Sequence, residues 1–215
     1  RDIIHPTIGV LTSLGAAHQE NFRSMEEKCM EKLQLFHDTK VVIYPSDDDT
    51  VSRCIRRSQY QGERIGWSRY SEKAPFFVNR IEKSQTSNFR SQISYIYKGI
   101  DGSYEITFID EASIENSITC ATTALTLGVS PEEIAERMPR LEPIAMRLEV
   151  KEGQHGLTLI NDSYNSDINS LDIALDFMNR RREQGDKCKT LILSDIYQSG
   201  ESPVELYNEV SNLIA

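Results

Sequence analysis

The sequence contains no apolar run near the ~20 residues that a helix needs to cross a bilayer, and no signal peptide is expected. Its four cysteines, Cys29, Cys54, Cys120 and Cys188, are scattered and form no CxxC pair. That spacing argues against both a zinc site and a disulfide framework; reduced thiols in a cytosol are expected instead. Basic residues are scarce: Lys plus Arg is 24 against 33 for Asp plus Glu, a formal charge of −9. Nucleic acid is therefore not expected as the main partner, because phosphate binding along a strand needs a basic surface. A single nucleotide, held by a few local groups and a metal, is not excluded. No G-x-x-x-x-G-K-[ST] phosphate loop occurs anywhere, and there are no internal repeats or low-complexity segments.

What is present fits an ordinary folded chain. The 215 residues are 39% hydrophobic and 27% charged, enough for one large domain or two small ones with an apolar core. The chain opens with Arg1 rather than Met and closes at Ala215 within an apparent helix, so a piece of something longer is expected. Short apolar runs at 8–11 and 41–44 read as buried strands, with a helix over 24–36 between them. Ser24 is its N-cap and Glu27, three residues on, completes a capping box. Pro45-Ser46-Asp47-Asp48-Asp49 reads as a turn.

From Arg64 to Ile109 the pattern changes. Pro75-Phe76-Phe77-Val78, Gln92-Ile93-Ser94-Tyr95-Ile96-Tyr97 and Tyr104-Glu105-Ile106-Thr107-Phe108-Ile109 are strand-like, with a turn at Gly99-Ile100-Asp101-Gly102, which predicts a small antiparallel meander. Helices follow over 113–127, closed by Gly128, and from Ser130, where Pro131 at the first helical position and Glu133 as box partner mark the start. After Glu152 a strand at 157–160, a helix at 168–178, a strand at 190–193 and a helix from Ser202 predict a second βαβ unit with a parallel sheet. A domain boundary is expected near 148–153, giving units 1–150 and 151–215. The fold class is α/β.

Ligands of open parallel sheets bind beyond the carboxyl ends of the strands. His18, Asp162 and Asp195 fall there, though each alone reads as a turn or cap residue. Lys32 is more informative. At ~100° per residue, Met25, Cys29, Leu33 and Phe36 span a sector of roughly 80°, with Lys32 about 20° outside Met25. Such a lysine either lays its stem along the core and keeps its amine in solvent, or is partly desolvated, with a lowered pKa that makes it reactive.

The order of motifs adds context. His18-Gln19-Glu20, Ser24-Met25-Glu26 and Glu31-Lys32-Leu33-Gln34-Leu35-Phe36 resemble the Mur ligase stretch "AHLE, GS, AKGEIF", including the fourteen residues from His18 to Lys32. Asn116 falls in a helix resembling "N-x-x-A-A". Pro143-Ile144-Ala145-Met146-Arg147-Leu148-Glu149 resembles "P-x-x-G-R-L-E". Asn161-Asp162-Ser163-Tyr164-Asn165-Ser166 resembles "D-D-S-Y-N-A", typical of the MurF-type, D-alanyl-D-alanine-adding branch, and Leu193-Ser194-Asp195-Ile196 with Gln198-Ser199-Gly200 resembles "G-D-M-x-E-L-G". The matches are collinear and span almost the whole chain.

The resemblance implies the later part of a central ATP-binding domain, then the first part of a Rossmann-like C-terminal domain. It implies an ATP-dependent ligase of peptidoglycan precursor synthesis in the cytoplasm. That ligase would join D-alanyl-D-alanine to UDP-N-acetylmuramoyl-tripeptide through an acyl phosphate, with ATP and Mg²⁺. Lys32 corresponds to the lysine carbamylated in this family, which turns a cation into an oxygen ligand of the kind Mg²⁺ prefers. His18 corresponds to the histidine beside the second metal; Asn116, Arg147 and Asp162 to nucleotide-holding residues; Tyr164 and Asn165 to a substrate-side loop. The chain also departs from the family. Pro45 stands where the family has asparagine, and Asp110 and Ala112 stand where it has "G-x-H", as in a divergent subgroup. The wording around Ser166-Asp167-Ile168-Asn169-Ser170 resembles proteins in which such a ligase is fused to an alanine racemase. Two other readings are a non-catalytic ligase-like scaffold fused to such an enzyme and a folylpolyglutamate synthetase-like ligase; Asp162-Ser163-Tyr164-Asn165 disfavours the latter, whose loop reads "D-G-A-H-N-P".

Overall fold

The computed structural model describes residues 5–15, 21–84, 90–142, 148–164, 166–180, 188–197, 199 and 202–214. His18, Arg147 and Asn165, all expected at the site, lie outside these. The chain divides into two compact units; among the described residues the first comprises 5–14 and 24–141, and the second comprises the rest.

The first unit runs β1 (Ile8–Val10), α1 (Met25–Gln34), β2 (Val41–Pro45), α2 (Asp49–Arg57), β3 (Glu63–Ser68), β4 (Phe76–Ser84), β5 (Arg90–Tyr97), β6 (Ile100–Ile106), α3 (Glu111–Thr126) and α4 (Pro131–Arg137). Its strands form one sheet in the order β1-β2-β3-β4-β5-β6. β1 to β4 are parallel, and β4 to β6 are antiparallel. The expected meander is thus present, joined to the edge of a parallel sheet.

Side chains alternate across a strand, and β2 shows the consequence. Val42 packs with Leu11 after β1 and with Cys29, Leu33, Val51, Cys54 and Ile55 on the inner faces of α1 and α2. Ile43 packs on the other side with Ile65, Trp67 and Phe76, and with Ile114, Ile118 and Ala121 of α3. Helices therefore cover both faces, as the α/β expectation requires. The cap at Ser24, which accepts from the Glu27 amide at 3.1 Å, opens α1 as expected. The reciprocal capping box at Ser130 and Glu133 likewise opens α4.

α2 and β3 are additional to the elements expected from sequence. α2 has nine residues of mostly polar composition; its buried Val51, Cys54 and Ile55 stand at i, i+3 and i+4 on one face, a signal of little more than one turn beside the turn residues 45–49. β3 has a charged start and a glycine; its Ile65 and Trp67 read as core only once β2 and β4 flank them. The hairpin between β5 and β6 turns at Lys98 and Gly99, both with positive φ, which is the two-residue connection that the twist of paired strands favours. Gly102 therefore belongs to β6 rather than to the turn. A Cβ there would lie 2.4 Å from the Tyr95 ring. α3 starts two residues before its expected start, because Asp110 caps it by accepting from the Ser113 amide at 2.8 Å.

The second unit contains β7 (Glu149–Glu152), β8 (Thr158–Asn161), α5 (Ile168–Arg180) and α6 (Pro203–Ile214). Leu171 and Leu175 of α5 pack against Val210 of α6. Ser202 and Glu205 exchange backbone and side-chain hydrogen bonds at the start of α6. Here the sequence expectation needs correction. The two strands pair antiparallel with each other rather than in a parallel βαβ unit, and residues 190–193 are not a strand. An apolar run becomes a strand only when it has a ladder partner, and Ile192 is 90% exposed. The first unit ends at Leu141, and β7, whose Val150 pairs with Ile160, lies in the second.

Phe76 anchors the junction of the two halves of the sheet. It is fully buried and stacks on Tyr95 with ring centroids 4.6 Å apart. Phe76→Ala should lower the unfolding free energy by about 3–5 kcal/mol, measured by urea titration; a loss below about 1 kcal/mol would show that the site collapses around the gap.

Candidate functional site

In the first unit, the carboxyl ends of the parallel strands are held together by a polar stitch. β2 delivers Ser46, Asp47 and Asp48; β3 delivers Ser68 and Arg69. The Ser46 amide and hydroxyl both donate to the Trp67 carbonyl, at 2.9 and 2.8 Å. Asp47 accepts from the Ser68 hydroxyl and, at 2.7 Å, from the Arg69 amide. Ser68 Oγ in turn accepts from the amides of Tyr70 and Ser71. Asp48 caps α2 through the Val51 amide at 2.9 Å. Both carboxylates are therefore engaged in holding loops.

Arg69 then reaches α3. Its guanidinium donates to Glu111 at 2.7 Å, and the Lys83 ammonium donates to the other oxygen at 2.5 Å. Burial pushes the Glu111 carboxyl up, but the hydrogen bonds from Lys83 and Arg69 outweigh it and hold the group below its usual value. One turn on, Glu115 goes the opposite way. Burial raises it first, Arg69 opposes, and the charges of Glu111, Asp47 and Asp48 raise it further. Asn116, expected to contact nucleotide, is exposed on α3 beside it.

Lys32 lies in the last turn of α1, on the opposite face of the sheet from Asn116. It is exposed, which corrects the expectation of a partly desolvated amine. The buried lysine of this helix is Lys28, 4% exposed. Burial lowers its pKa, and the charge of Lys32 lowers it further. The apolar stripe predicts neither, because burial here depends on more than position on the wheel. Among the described residues no group of three His, Cys, Asp or Glu side chains could hold a metal. The implied donors are Lys32 and His18, and the latter lies outside the described residues. The exposed amine of Lys32 does meet one requirement of a carbamate, open approach for CO₂.

In the second unit, Asp162 follows β8 and accepts at 3.0 Å from the Leu148 amide. Leu148 has φ 47°, a left-handed conformation that costs a non-glycine residue about 1–2 kcal/mol. Asp162 thus fixes the backbone immediately after Arg147. Tyr164 is 62% exposed. Asp195 accepts from the Tyr207 hydroxyl at 2.9 Å, a contact within its own unit. No helix among the described residues is long and apolar enough to cross a membrane.

Comparison with known proteins decides the family, since the Mur ligase middle domain matches residues 1–124. The chain belongs to the Mur ligase family. It is 23% identical over 216 residues to UDP-N-acetylmuramoyl-tripeptide--D-alanyl-D-alanine ligase of Bacillus subtilis, covering 99% of this chain and 44% of that protein. A UDP-N-acetylmuramoylalanine--D-glutamate ligase of Alkaliphilus metalliredigens is 29% identical over 163 residues, covering 74% of this chain and 34% of that protein. Among solved structures, MurF from Acinetobacter baumannii superimposes with a TM-score of 0.78 at 19% identity, covering 97% of this chain and 43% of that one. The chain spans less than half the length of these relatives. Both curated relatives are named as ligases, and a fused racemase gains no support from them.

The arginine, lysine and carboxylates around Glu111 were missed from sequence. Arg69 sits at the end of a strand absent from that reading, and Lys83 and Glu111 meet only across the folded sheet. A charged Glu115 costs stability above the ordinary carboxyl value of 4.5. Glu115→Gln should therefore raise stability at pH 7 by about 0.5–2 kcal/mol. The gain should shrink as pH falls through the raised pKa and vanish below the unfolded value. Thermal melts of both proteins between pH 3.5 and 8 check the sign; equal melting temperatures throughout would contradict it.

Proposed function

We propose that this chain is part of an ATP-dependent amide-forming ligase of peptidoglycan precursor synthesis. It would join D-alanyl-D-alanine to UDP-N-acetylmuramoyl-tripeptide through an acyl phosphate, in the cytoplasm. The observation that carries this reading is the match of 99% of the chain, both units included, to a ligase of that name.

Each candidate residue then has a physical task. Lys32, as its carbamate, and His18 would hold Mg²⁺; the ion would neutralise charge between the phosphate groups and the attacked carboxylate. Asn116, Arg147 and Asp162 would hold the nucleotide. Asp162 can do so while anchoring the Leu148 amide, since that bond uses only one of its oxygens. The exposed Tyr164, with Asn165, would face the substrate. No phosphate loop occurs in these residues, and its amides and lysine neutralise the transferred phosphoryl group. Residues 1–215 alone should therefore neither hydrolyse ATP nor ligate the dipeptide.

Lys32→Ala, made in the full-length protein, tests the reading. Ligase turnover should fall about hundredfold or more. Added short-chain carboxylate should restore part of it by occupying the vacated space and replacing the lost oxygen ligands. Unchanged turnover would show that Lys32 is only a surface lysine and would leave the metal role of His18 without its main support.

A further inference from the structure

Helix α1 carries two lysines one turn apart in contrasting surroundings. Lys28 is 4% exposed, between the buried Cys29 and the start of the helix, whereas Lys32 is open to solvent. Residues at i and i+4 of a helix are neighbours, with about 5–6 Å between their Cβ atoms. Two ammonium groups so placed repel; burial first, and the charge of Lys32 after it, lowers the pKa of Lys28.

Carbamylation of Lys32 would reverse that relation. The neutral amine adds its lone pair to the carbon of CO₂, an N–C bond forms, and one N–H proton leaves to water. The position changes from +1 to −1, so a repulsive i,i+4 pair becomes an attractive one. The order of charges, cation before anion, is the less favourable one for the helix dipole. Burial compensates, because a cation out of water is screened less and acts more strongly on its neighbours. Glu31, the other charged side chain within a turn of both lysines, accepts at 3.1 Å from Gln34 Nε2, and Glu26 pairs with Arg53 at 3.1 Å.

We propose that Lys28 is a positioning residue that holds the carbamate of Lys32 in place by its charge, one turn earlier on the buried side of α1. This rests on the reading of Lys32 given above and adds a residue that acts through it.

The test is carbon-13 NMR of the full-length protein equilibrated with labelled bicarbonate, which reports the carbamate without reference to turnover. A signal in the wild type that is lost in Lys32→Ala establishes the modification. Lys28→Met should then need about fivefold more bicarbonate for half occupancy, and Lys28→Arg should stay near wild type. Should Lys28→Met fail to fold, Lys28→Gln against Lys28→Arg makes the same comparison of charge. Wild-type occupancy in Lys28→Met or Lys28→Gln at every bicarbonate concentration overturns the proposal and leaves the Lys32 reading intact. Absence of a carbamate signal from the wild type overturns both. A signal that survives Lys32→Ala and disappears in Lys28→Met would put the modification on Lys28 and overturns the proposal as well.

Discussion

The first unit depends on β2 being buried on both faces. Val42 and Ile43 are adjacent, point in opposite directions and are essentially inaccessible to solvent. Each belongs to a separate apolar cluster. A strand sandwiched in this way cannot slip by one residue without exchanging the two clusters. Register is therefore fixed here and passed through the ladder to β1 and β3. α1 and α2 are held on one side and α3 on the other, and the loops at the carboxyl end of the sheet inherit fixed starting points.

Those loops show how a site can be rigid without being apolar. Asp47 ties the end of β2 to the beginning of the loop after β3, and Arg69 continues the connection to α3 through Glu111. The individual exposed ion pairs are worth little, about 0–1 kcal/mol each. Their value is geometric: three elements from separate parts of the chain are kept in register at the edge where ligands of such sheets bind. Glu111 and Glu115, one turn apart, have opposite pKa shifts because one faces two cations and the other faces mainly burial and carboxylates.

Much of this was legible in the residues. β2, the meander and the capped starts of α1, α4 and α6 follow from runs of β-branched residues, aromatic alternation and Ser-x-x-Glu boxes, all signals contained within a few neighbouring positions. The ordered series from His18 through Lys32, Asn116 and Asp162 pointed to the Mur ligases because motif order survives where overall identity has fallen to 23%. α2 was missed although Val51, Cys54 and Ile55 stand at i, i+3 and i+4 on one face, because the stripe covers little more than one turn and follows directly on the turn residues 45–49. The strand expected at 190–193 was an error of the same kind reversed: the apolar run is real, but the hydrogen-bonding neighbour that would make it a strand is not given by the run itself.

The sequence by itself determined the capped helix starts, the charge, the α/β class and the chemical identity of the candidate groups, because each depends on residues close together along the chain. Only the tertiary structure decided which lysine of α1 is buried and that Asp47 serves the sheet. It also decided that Arg69 and Lys83 converge on Glu111 and that Asp162 secures the backbone beside Arg147. Those facts depend on desolvation and on contacts between residues from 14 to 42 positions apart. Helical periodicity assigns Lys28 and Lys32 to neighbouring positions on one wheel; the surrounding elements, which periodicity does not contain, removed water from only one of them.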